Sequence, residues 1–101
     1  MLRYEVTVTV RDDLRARFEE YFTSRHIPEI LATGCFTDIR FDRSDGGVYR
    51  TVYHATSRAD LDRYLQVHAA SFRADFATHF PEGCTPSREN WTALAAWEFP
   101  R

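Results

Sequence analysis

Polar and apolar residues alternate without a fault over the first ten positions. Leu2, Tyr4, Val6, Val8 and Val10 are apolar, whereas Arg3, Glu5, Thr7 and Thr9 are polar. A period of two with β-branched residues predicts a half-buried strand. The period then lengthens. Leu14, Phe18, Tyr21 and Phe22 make a helical stripe, with Arg15, Arg17, Glu19 and Glu20 on the outer side. Asp12 or Asp13 is placed to cap this helix. Pro28 disfavours helical geometry at Ile27, so a break or kink is expected near Arg25 and His26. A further short turn through Ile30 and Leu31 should stop at Gly34.

A second strand is expected from Cys35 to Phe41, where Cys35, Thr37, Ile39 and Phe41 alternate with Asp38 and Arg40. Ser44-Asp45-Gly46-Gly47 is a hairpin signal, and a third strand should follow over residues 48–56. Ser57 and Asp60 form a variant capping box at the start of a second helix. Its stripe is Leu61, Tyr64, Leu65, His68, Phe72 and Phe76. Pro81-Glu82-Gly83 ends it, Pro86 falls in the loop beyond, and a fourth strand is expected over residues 88–99.

Four strands and two long helices in the order β-α-β-β-α-β predict one α+β domain spanning residues 1–101, a ferredoxin-like sandwich. Right-handed crossovers place both helices on one face of an antiparallel sheet of order 4-1-3-2. The helix side should carry Tyr4, Val6, Val8, Ile39, Tyr49, Tyr53, Trp91 and Trp97. Arg3, Glu5, Asp38, Arg40, Arg50, His54 and Glu98 should line the other side, too polar for a dry core and suited to water or a polar dimer interface. Cys35 and Cys84 fall at opposite ends and edges of this sheet, beyond the reach of a disulfide.

Composition narrows the function classes. An apolar content of 44% and aromatic content of 15% suffice for a core, although a small domain gains from a partner subunit. The net charge of -2 argues against a general nucleic-acid binder. The aromatics of strand three also project to the core side, unlike those of an RNA-recognition sheet. All 13 basic residues are arginine. No signal peptide or membrane-spanning run is expected, so a cytoplasmic protein is the default.

The segment from His26 to Phe36, His-Ile-Pro-Glu-Ile-Leu-Ala-Thr-Gly-Cys-Phe, is distinctive, as is Tyr64-Leu65-Gln66-Val67-His68-Ala69 with Arg73 following. Together they resemble a bacterial family of small domains of unknown function. That family is similar to the dimeric α/β-barrel superfamily, in which two ferredoxin-like sandwiches pack sheet against sheet. The resemblance implies a homodimer. Relatives by fold include cofactor-free monooxygenases, haem-degrading enzymes, lactone isomerases and ligand-sensing domains, so it implies no single chemistry.

His68 is the leading candidate for chemistry. On the apolar stripe it should face the sheet, one turn beyond Tyr64 and level with Tyr53. These three could form a small polar pocket in an aromatic wall, with His68 as general base or hydrogen-bond donor. Equally, His68 could be a buried histidine satisfied by a tyrosine and a carbonyl. His26 is the second candidate, either at a ligand-binding loop or fixing the helix end. Arg73 could reach an anionic ligand or lie on a solvated helix face. The histidines and cysteines show no close-spaced metal-ligand pair, and no metal or cofactor is expected. Three functions remain: a homodimeric small-molecule binding or sensing domain, a cofactor-independent isomerase or monooxygenase, and a structural interaction module.

Overall fold

A computed structural model describes residues 2–100. Four strands, β1 (Leu2–Val10), β2 (Asp38–Arg43), β3 (Val48–Ala55) and β4 (Cys84–Thr92), form one antiparallel sheet. Its order is β2-β3-β1-β4, the expected order read from the other edge. Helix α1 covers residues 12–31, and helix α2 covers residues 58–79. Both lie on the face expected for them. Phe18 packs with Val8, and Leu61 packs with Tyr4 and Tyr53, both sealed from solvent. Val6 joins the two groups from the middle of the sheet.

The start of α2 follows the sequence. The Ser57 hydroxyl accepts the Asp60 amide at 3.2 Å. The Asp60 carboxylate accepts the Ser57 hydroxyl in return, at 3.2 Å. Neither Asp12 nor Asp13 caps α1, however. Arg11 holds the cap position with no side-chain bond, and its Nε donates to Asp13 at 2.6 Å instead. The first turn, Asp12–Leu14, is a 3₁₀ turn.

The break or kink expected near His26 takes the form of a π turn rather than a break. The helix runs on through this turn, Phe22–His26, in which the Ile27 amide donates to the Phe22 carbonyl five residues back. Pro28 then opens the α-helical segment Ile27–Leu31, near whose start a missing N–H costs little. A second π turn, Tyr64–His68, interrupts α2, with the Ala69 amide donating to the Tyr64 carbonyl. Both turns have a cause in the side-chain spacing. Phe18, Phe22, His26 and Ile30 recur strictly every fourth residue, and so do Tyr64, His68, Phe72, Phe76 and Phe80. On an α-helix each step of four drifts about 40° around the axis. A π turn takes up one extra residue and brings the row back over the sheet.

Two strand boundaries differ from expectation. β2 starts at Asp38 rather than Cys35. Cys35 and Phe36 remain buried as core residues below the strand, and the first ladder bond is Thr37 amide to His54 carbonyl, 2.8 Å. β4 lies earlier than expected and ends at Thr92. Pro86, expected in a loop, sits inside it, which an edge strand tolerates. Leu2 pairs with Thr92, so β1 offers no partner beyond that point.

This register reverses the expected face of the tryptophans. Tyr4, Val6 and Val8 pair with Asn90, Arg88 and Pro86, which therefore share the helix side. Trp91 instead faces outward beside Glu5 and Thr7, with the Arg3 guanidinium 5.8 Å from its ring. Trp97 is 89% exposed in the tail beyond the sheet, with Leu94 and Phe99 equally bare. Neither tryptophan contributes to the core. Both cysteines are free, Cys35 buried and Cys84 half-buried.

Candidate functional site

The core is two clusters rather than one. Tyr4, Tyr53, Tyr64, Phe36 and Leu61 belong to the first; Val8, Phe18, Phe22, Tyr49 and Phe80 belong to the second. A cavity lies along the seam between them. Its floor is Tyr4, Val6, Val8 and Tyr53 from the sheet. Phe22 and His26 reach it from the π turn of α1, and Tyr64, Phe72, Arg73 and Phe76 from α2. Pro86 and Arg88 of β4 complete the rim. Its free volume is about 30 Å³, room for about two waters.

The mouth opens beside β4. The helices leave that strand uncovered, and every residue from Thr85 to Thr92 is exposed. A shallower groove, lined by Tyr4, Leu65, Arg73, Arg88, Glu89 and Asn90, continues outward from it.

His26 is the unusual residue of the wall. It is nine-tenths buried, and its Nδ1 has no hydrogen-bond partner among the described residues. Its ring stacks on Phe22 at 4.4 Å and meets Phe72 edge-on at 6.0 Å. Burial pushes its pKa down from 6.5 to about 4, opposed by Asp75 and aided by Arg88. The imidazole is therefore neutral at pH 7, with one nitrogen able to accept. Left without any partner, such a nitrogen would cost about 1–3 kcal/mol.

The tyrosines form the other wall. Ring centroids lie 5.6 Å apart for Tyr4 and Tyr53, 6.2 Å for Tyr4 and Tyr64, and 6.4 Å for Tyr53 and Tyr64. Burial pushes the Tyr53 and Tyr64 hydroxyls well above the usual phenol range, so both stay neutral donors. Arg73 Nη2 donates to the Tyr4 hydroxyl at 3.2 Å and fixes the guanidinium at the mouth.

Of the residues that the sequence singles out, Tyr53, Tyr64, Arg73 and His26 line this cavity. His68 does not. It is half-buried at the end of the second π turn, its ring 6.4 Å from Tyr64. Arg88 was missed. Its signal is its place opposite Val6, which needs the register of β4, and that register was displaced by the lure of the tryptophans. Among the described residues no group of three or more histidine, cysteine or carboxylate side chains could hold a metal ion, and no helix is long and apolar enough to cross a membrane.

A solved structure shares this architecture: a protein named as a putative antibiotic biosynthesis monooxygenase from Deinococcus radiodurans. The two align over 98% of each chain with a TM-score of 0.71 and 12% identity. At that identity the likeness shows the ferredoxin-like fold alone. No curated protein matches the sequence. The profile of a domain of unknown function, DUF4286, matches residues 1–92, from the first strand to the last residue of β4. The chain therefore belongs to the DUF4286 family.

Proposed function

We propose that this domain binds a small organic molecule in the cavity between its helices and its sheet, acting as a homodimeric binding or sensing module. The observation that carries this reading is His26. A buried, neutral imidazole with an unpaired Nδ1, set beside a cleft of tyrosines and phenylalanines, is a hydrogen-bonding group held ready for a guest. The homodimer rests on the resemblance to the dimeric α/β barrels and on a polar outer sheet face that carries paired charges and Trp91.

Catalysis is the second reading. It is favoured by the fold shared with a protein named as a monooxygenase, and by a histidine inside the cleft. The same burial that frees His26 also weakens it. A base whose conjugate acid titrates near pH 4 drives proton removal poorly at neutral pH. Binding therefore ranks above turnover, and His68, standing outside the cavity wall, ranks below His26 in either case.

The test is a two-dimensional NMR titration with phenol, indole, benzoate and benzyl alcohol. Binding should shift the resonances of His26, Tyr53, Tyr64 and Phe72 and saturate. Failure of all four probes to move those residues would remove the binding reading. Steady oxygen uptake in the presence of a bound phenol would promote the catalytic one.

A further inference from the structure

Resting on the cavity reading above, we infer the ligand class: a planar aromatic molecule carrying one carboxylate, its ring parting the aromatic walls of the cleft and its anion at the mouth. Three observations point to this arrangement. The first is charge. Most arginines of the chain pair with a carboxylate within 4 Å, as Arg43 does with Glu19 and Arg50 with Asp42. Arg73 and Arg88, among the described residues, make no such pair. They come from different elements, α2 and β4, yet both border the same cavity and the same outer groove.

The second observation is position. Arg88 occupies the helix side of β4 directly opposite Val6, at the rim of the cavity. Arg73 is held by the Tyr4 hydroxyl, whose ring forms the cavity floor. A guanidinium presents a planar fork of donors that matches a carboxylate. Glu89, the nearest acidic neighbour in sequence, also borders the outer sheet face beside Glu5 and Thr7, the side opposite Arg88.

The third observation is the inner wall. Phe22, Phe72 and Phe76 with the tyrosines offer flat apolar faces, suited to offset or edge-on contact with a ring. His26 adds a single polar atom beyond them. A ring with its carboxylate toward the arginines and a small polar substituent on the far side, toward His26, would meet the guanidinium groups and the imidazole together. 4-Hydroxybenzoate has that form.

Calorimetric titration of the full chain with benzoate, benzamide and acetate tests the inference. Benzoate should bind at least tenfold more tightly than benzamide, and acetate should not bind measurably. Replacing Arg73 and Arg88 together, Arg73→Gln with Arg88→Gln, should erase the preference while benzamide binding persists. Both substitutions are at exposed positions, and unchanged circular dichroism would show that the fold survives. Equal affinity for benzoate and benzamide overturns the anion preference but leaves the cavity reading standing. Acetate binding as tightly as benzoate reduces the site to surface arginines and overturns the aromatic part. Absence of binding by both aromatic probes overturns the inference; the cavity reading falls with it only if phenol, indole and benzyl alcohol also fail to bind.

Discussion

His26 ties the candidate site to acidity. The unfolded chain takes up its proton near pH 6.5, whereas the native imidazole resists until about pH 4. Between those values the unfolded state holds more protons, so native stability falls as the pH drops through that window and is fully present above it. The depressed pKa is worth about 3 kcal/mol at the acid end of the window. Carboxylates held below their usual range, such as Asp75 beside Tyr21 and Glu19 beside Tyr49, add a loss of the same sign only at lower pH. Denaturant unfolding at pH 7 and pH 5 should show wild type losing markedly more stability than His26→Phe. Equal losses would mean that His26 is not buried as a neutral ring. The sequence marked His68, with Tyr64 one turn earlier, because an apolar stripe is an odd place for a polar ring, and His26 because it stands where a break in the helix is expected. It could not rank His26 above His68, since both keep a spacing of four from their aromatic neighbours and only packing separates them.

At the scale of elements, the two π turns decide what faces the cavity. Strict spacing by four was visible in the sequence, in Phe18-Phe22-His26-Ile30 above all. Pro28 drew attention away from it, since proline suggests a break and says nothing of an added residue upstream. Thr23, Ser24 and Arg25 are the exposed members of the α1 bulge. Deleting Ser24 should restore plain α geometry while leaving Phe18 and Ile30 within about 20° of the same face, because eleven residues make nearly three turns. We expect helical circular dichroism to persist and the cavity resonances to lose their response to benzoate. A chain that no longer folds would show that the bulge serves packing rather than the site. Strand β1 and the Ser57 cap were legible because each depends on local pattern alone. β4 was not, because its limits are set by where β1 stops pairing, a long-range fact, while the bulky Trp91 and Trp97 imitate a core alternation.

For the whole molecule, the family match ends at residue 92, where the sheet ends. Residues 93–100 make no strand or helix and expose Leu94, Trp97 and Phe99. The proposed dimer uses the outer sheet face, where Arg3, Glu5 and Trp91 cluster beside the Asp42–Arg50 pair. Sedimentation should therefore give a dimer at micromolar concentration both for the full chain and for residues 1–92. A monomer in both would remove the dimer, and a dimer lost only on truncation would move the interface to the tail. The layer architecture was legible as a whole, since period-two and helical segments in this order leave few arrangements that bury their apolar sides.

The border of the chamber formed by β4 is also an edge of the sheet. Among the described residues that strand pairs with β1 alone, and no helix covers it beyond Cys84. Whatever occupies the interior must pass a threshold hinged on one row of backbone hydrogen bonds. How long a guest stays would then be governed by how often that margin breathes, as much as by the grip of the walls around it.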